Sequence, residues 1–246
     1  MKYKEDLLRG LTHTDISSGI LKRPMTFFLI GVTLWATVAL VSGLQPIGHV
    51  SNGPSFAILS TGGFVYAAQG SEVRVYDIRD PSKIPQLGWQ NALARIYVGS
   101  EVRGLDTDGR YLYVAGVNDF LIVDISRPDD AHIVSRVNNI NGSIRDVRIN
   151  GNYAYIASQK VGIITIDVAD RSNPVVLHNI RLDAQNKPWR MTVRGGYLYT
   201  GMEGENRLNI LSLSDPSEPV MAGFYNRSGD DGFSGVDVYG RYAVVS

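Results

Sequence analysis

Two apolar patterns divide the chain. From Met25 to Leu44 the residues read MTFFLIGVTLWATVALVSGL, twenty positions without a charge. Beyond Leu44 the apolar residues fall instead into short runs rich in β-branched and aromatic side chains, such as YAYIA and GIITIDV. Gly, Asn, Asp or Pro bounds each of these runs. The first pattern predicts a helix, since about 20 residues span ~30 Å of hydrocarbon. Its Thr and Ser hydroxyls can bond back to carbonyls of the same helix. The second pattern predicts β-strands, and no helical periodicity follows Leu44.

Charge gives the first pattern a direction. Residues 1–24 hold five basic and three acidic side chains, and apart from His49 no charged residue lies between Arg23 and Glu72. Lys22 and Arg23 therefore predict a cytoplasmic tail over 1–24 and a single-pass signal anchor over 25–44, with everything downstream outside. A cleaved signal peptide is the second reading, with Val41-Ser42-Gly43 as the cleavage site and a secreted product. A buried soluble helix is the third, opposed by the lack of any polar face. Residues 45–55 (QPIGHVSNGPS) read as a linker.

The second pattern repeats. A turn, an aromatic-x-aromatic strand, a short turn, an apolar strand ending in Asp and a Pro-containing turn recur from Gly62, Asp108, Asn150 and Gly195, and YGRYAVVS begins a fifth copy. The first aromatic falls at Phe64, Tyr111, Tyr153, Tyr197 and Tyr242, and the closing position at Asp77, Asp124, Asp167 and Ser212. Both markers keep one step. Asp108-Gly109 and Asn150-Gly151 are hairpin turns. Units of ~45 residues with four short strands have the size of propeller blades. The prediction over 56–246 is an all-β propeller of four blades plus the start of a fifth. Tyr242 to Val245 reads as a strand ahead of its partner, so the domain is expected to be incomplete. A solenoid is the competing architecture.

The run Leu121-Ile122-Val123-Asp124 in FLIVDISRP resembles the motif of the LVIVD repeat, and VRVYDIRDP, IITIDVADRSNP and LNILSLSDPSEP are looser versions of it. The resemblance implies a β-propeller of exported surface proteins, mostly without a defined biochemical activity. Ser212 departs from the pattern and implies a weaker closing turn. WD40 and Kelch repeats fit less well, because their Trp, Gly-His and Gly-Gly signatures are missing or irregular.

Composition narrows the chemistry. The chain has no Cys, which excludes disulfides, thiol nucleophiles and thiolate metal sites. Its 24 basic and 24 acidic residues give no basic excess, so no nucleic-acid partner is expected. P-loop, G-x-G-x-x-G, H-E-x-x-H and G-x-S-x-G signatures are absent, and no catalytic residue, cofactor or metal is assigned. His13, His49, His132 and His178 are scattered. Asp77, Asp124 and Asp167 fit turn-capping roles, and Asp106-Thr107-Asp108-Gly109 is a hairpin turn rather than a calcium loop. Gly229 to Gly232 is a weak calcium candidate. The triplets starting at Asn141 and Asn226 match the glycosylation pattern.

One column stands out. With the copies aligned on their Tyr, the innermost strands place Phe56, Arg103, Arg145, Trp189 and Ser234 at one level, with Arg190 one residue later. If the strand starts converge, Arg103, Arg145, Trp189 and Arg190 form a mouth for an anionic or stacking ligand. The competing expectation is that each Arg bonds carbonyls or carboxylates of a neighbouring blade. The expected function is a membrane-anchored exocytoplasmic scaffold binding a protein or glycan. An enzyme acting on an extracellular substrate such as a glycan, and a structural envelope component, are the alternatives.

Overall fold

The computed structural model describes residues 55–140, 142–182, 187–204, 206–227 and 232–246. All of them fall in one compact unit, Ile47–Ser246. The expected tail (1–24), membrane segment (25–44) and linker up to Pro54 lie outside the described residues. So do Asn141, Ser228 and most of the 229–232 loop. Among the described residues no helix is long and apolar enough to cross a membrane.

Four antiparallel sheets of four strands follow one another, each in simple sequence order. The first holds β1 (Ile58–Thr61), β2 (Phe64–Gln69), β3 (Glu72–Asp77) and β4 (Ala94–Tyr97). The second holds β5 (Val102–Thr107), β6 (Tyr111–Gly116), β7 (Phe120–Asp124) and β8 (His132–Val137). The third runs through β9 (Ile144–Asn150), β10 (Tyr153–Ser158), β11 (Gly162–Asp167) and β12 (Val175–Ile180). The fourth runs through β13 (Pro188–Arg194), β14 (Tyr197–Met202), β15 (Arg207–Ser212) and β16 (Val220–Asn226). β17 (Val236–Tyr239) and β18 (Tyr242–Val245) pair alone as the fifth copy. The first strands lie side by side, β1 with β5, β5 with β9, β9 with β13 and β13 with β17. This is a propeller-like stack of blades with the first strand of each innermost.

The apolar motif is continuous because each middle sheet buries both faces. Successive side chains of a strand point to opposite faces. Leu121 and Val123 pack toward the first blade, with Val73, Val75 and Leu112. Phe120 and Ile122 pack toward the third, with Ile156, Ile164 and Ile166. Ile163 and Tyr155 repeat the pattern one blade later, against Met191, Leu198 and Leu211. Full burial of each such side chain contributes roughly 1.5–3 kcal/mol. At the inner strands the blades come so close that a β-carbon on Gly104 would lie 2.9 Å from Asp146 Cα. Only glycine fits there.

The closing turns take the geometry their Asp residues suggest. The amides of Arg79, Ser126 and Ala169 donate to Asp77, Asp124 and Asp167 at 3.0, 2.8 and 2.8 Å. At the fourth turn the Ser214 amide donates to the Ser212 hydroxyl over 3.2 Å, a longer and uncharged substitute.

A clasp joins the second and third blades at the same strand ends as these closing turns. Asp108 accepts from the amides of Arg110 and Tyr111, from the Tyr113 hydroxyl at 2.8 Å and from Arg171 of the next blade at 3.2 Å. Burial alone would raise this carboxyl, but the Tyr111 amide, the Tyr113 hydroxyl and Arg171 outweigh it and hold it below its ordinary value. A folded pKa below the unfolded ~3.9 means that the stabilisation is present above that value and is lost as pH falls through the folded one. Asp108→Asn is therefore expected to cost about 1–2 kcal/mol near neutrality. In urea titrations the gap from wild type narrows below pH ~4; a gap constant with pH would contradict the clasp.

Candidate functional site

The sequence-aligned column becomes a structural one through β-bulges. In the second blade Val102 pairs with Gly116 and Gly104 with Ala115, leaving Arg103 as the extra residue. In the third, Ile144 pairs with Ser158 and Asp146 with Ala157, leaving Arg145. In the fourth, Pro188 pairs with Met202 and Met191 with Thr200, so Trp189 and Arg190 together oppose Gly201. A bulge re-aims side chains out of the regular pleat. Three bulges at one level aim Arg103, Arg145 and the Trp189-Arg190 pair toward the place where the inner strands meet.

Arg190 occupies that meeting point. Its Nη1 donates to the carbonyl oxygens of Arg103 at 3.0 Å and Arg145 at 3.3 Å, and its Nη2 donates to that of Phe56 at 2.9 Å. One guanidinium on the fourth blade thus gathers carbonyls from the other three. Beneath it Asp146, 1% exposed, accepts from the amides of Val147 and Met191 at 3.0 and 2.9 Å and from Arg148 Nη1 at 2.8 Å. Arg190 Nη1 lies 3.8 Å from the same carboxylate. Burial pushes the Asp146 carboxyl up, against the pull of Arg148, the Met191 amide and Arg190.

Arg103 and Arg145 are held differently. The Arg103 guanidinium lies 4.3 Å over the ring of Phe56, on the preceding blade. Arg145 lies 4.5 Å over Trp189, on the following blade. The two neighbours therefore lean away from each other. Arg103 pairs with Glu101. Arg145 Nη2 donates to Gln159 Oε1 at 2.6 Å, and Gln159 in turn donates to Glu203. The Nε atoms of Arg103 and Arg145 are buried without a hydrogen-bond partner. Burial, and then the charge of Arg103, lowers the Arg145 guanidinium below its ordinary value.

All four sequence-selected residues therefore meet. Arg190 spends its donors on backbone carbonyls, as the competing expectation held, whereas Arg103 and Arg145 rest on aromatic rings. Glu101, Gln159 and Glu203 were missed. Gln159 and Glu203 each stand six residues after the marker tyrosines Tyr153 and Tyr197, an alignment that could have exposed them. Among the described residues no group of three or more His, Asp or Glu gathers to hold a metal ion.

The LVIVD repeat matches residues 100–139, 141–181 and 187–227, the second to fourth blades. The chain belongs to the LVIVD-repeat proteins. No curated protein matches it in sequence. Among solved structures it is similar to a candidate 6-phosphogluconolactonase of Bacteroides uniformis, at a TM-score of 0.64 and 14% identity over 76% of this chain and 62% of that one. A candidate 6-phosphogluconolactonase of Bacteroides fragilis gives 0.63 and 15% over 76% and 61%. The computationally designed Ika8 protein gives 0.59 and 8% over 79% and 56%. The chain spans about three-fifths of the length of these structures. At such identities the likeness is one of fold.

Removing Arg190 strands three carbonyls and takes from the buried Asp146 the more distant of its two cations. Arg190→Ala is expected to cost about 2–4 kcal/mol in urea unfolding. Arg190→Lys should recover only part, because an ammonium cannot fork between strands. A loss under ~0.5 kcal/mol for the alanine variant would refute the central role.

Proposed function

We propose that this LVIVD-repeat protein is a binding scaffold displayed outside the cytoplasm and anchored by residues 25–44, with Lys22 and Arg23 on the inner side. The observation that carries the binding reading is the set of three in-phase bulges. They leave Arg103 and Arg145 stacked on Phe56 and Trp189 at one mouth. Core packing does not require an arginine at a bulge, and stacking removes the rotamer freedom that a flexible arginine would lose on binding. Rigid blades carrying such a mouth suit recognition. If the N-terminal segment is cleaved, the same domain is released with the same mouth.

A hydrolytic reading draws on the fold likeness to the lactonase candidates and would use Glu101 and Glu203. Both are engaged, Glu101 by Arg103 and Glu203 by Gln159. That favours binding over proton transfer.

Two measurements test the scaffold. Protease added to intact cells lacking a shielding wall or outer membrane should digest the blades, and protection would contradict the outside placement. Chemical crosslinking on such cells should yield an adduct that Arg103→Ala with Arg145→Ala abolishes, while the urea midpoint stays close to wild type. An unchanged adduct, or a collapse of the midpoint, would assign the pair to the fold instead.

A further inference from the structure

The mouth has a shape that selects a ligand class, an inference that rests on the binding reading above. Around the inner strands the order is Phe56, Arg103, Arg145 and Trp189, one per blade. Each arginine leans outward onto its aromatic neighbour, Arg103 back onto the first blade and Arg145 forward onto the fourth. The space between them is therefore walled by a guanidinium on either side. Its floor is the Arg190 guanidinium, whose donors are taken by carbonyls but whose charge remains. Glu101 and Gln159 hold the two walls through one Nη each. The buried Asp146 is neutralised first by Arg148, at 2.8 Å.

Glu101, paired with Arg103, and Glu203, held by Gln159, meet part of this charge. The Nε donors of Arg103 and Arg145, however, have no hydrogen-bond partner, and a guanidinium presents a planar fork that matches an oxyanion. We infer that the gap between Arg103 and Arg145, above Arg190, binds a single oxyanion, a carboxylate or a phosphate borne by a small ligand or a ligand terminus. The stacked arginines are already oriented, so the site forms without rearrangement of the blades. Binding weakens as salt rises, since the Arg103 and Arg190 side chains stay 21% and 28% exposed.

The test is isothermal titration of the full chain in neutral detergent at low salt, with inorganic phosphate and D-glucuronate as probes. The expected result is one saturable site per chain. It should weaken at least tenfold in Arg103→Gln and in Arg145→Gln and be unchanged in Arg110→Gln, an exposed arginine stacked on Tyr111. Should the glutamine variants unfold, Arg103→Lys and Arg145→Lys keep the charge but lose the fork and the stack, and must still show weaker binding. Tighter phosphate assigns a phosphoryl ligand; tighter glucuronate assigns a carboxylate. Absence of saturable binding for both probes, or equal loss in Arg110→Gln, overturns the oxyanion site. In that case the crosslinked adduct and its dependence on Arg103 and Arg145 would still stand for the scaffold. Saturable binding with an unchanged adduct would remove the scaffold reading and leave the site.

Discussion

Every blade with a neighbour on each side has to bury both of its faces, and this requirement shapes almost everything else. It explains why Phe120 to Val123 is apolar without interruption when a sheet with one wet face would alternate. It makes neighbouring blades lock side chain into side chain, and brings the inner strands close enough to exclude a β-carbon at position 104. It also leaves few places for polar groups. Apart from a few buried within strands, such as Arg74, Thr165 and Asn209, they gather at the strand ends, where the Asp residues of the closing turns meet solvent, and at the inner bulges, where arginines turn off the ladder.

The bulges connect packing to chemistry. A regular inner strand would send alternate side chains into the blade interfaces, which cannot accept a guanidinium. An extra residue frees one side chain from that alternation at the cost of a local bend and an unpaired position in the ladder. Used three times at one level, it produces a polar cluster inside an apolar stack. Within the cluster the roles divide by partner: Arg190 takes backbone carbonyls and becomes structural, while Arg103 and Arg145 take aromatic faces and keep hydrogen-bonding capacity.

Much of this was legible in the amino-acid order. The phase of Phe64, Tyr111, Tyr153, Tyr197 and Tyr242 located the second strand of each copy, and the Asp positions located the closing turns. Even the column of Arg103, Arg145 and Trp189 could be drawn, because equal spacing from the tyrosines implies an equal level. The bulges could not be read. An inserted residue changes pairing without changing composition, so Arg190 looked like a neighbour of the column when it is its centre. Gln159 and Glu203 escaped for another reason: they sit in turns after the second strand, where Gly70 and Val117 occupy the corresponding places and no shared residue type marks the position.

The reach of Arg190 has a mechanical consequence. Repeat stacks are held by nearest-neighbour contacts, so in principle each blade can loosen independently of those two places away. A guanidinium on the fourth blade that holds the Phe56 carbonyl, 134 residues earlier in the chain, adds a link that skips the intervening blades. Loosening of the first blade then disturbs the same atom group that the second, third and fourth depend on. The stack responds as one cooperative body rather than as a row of separable parts.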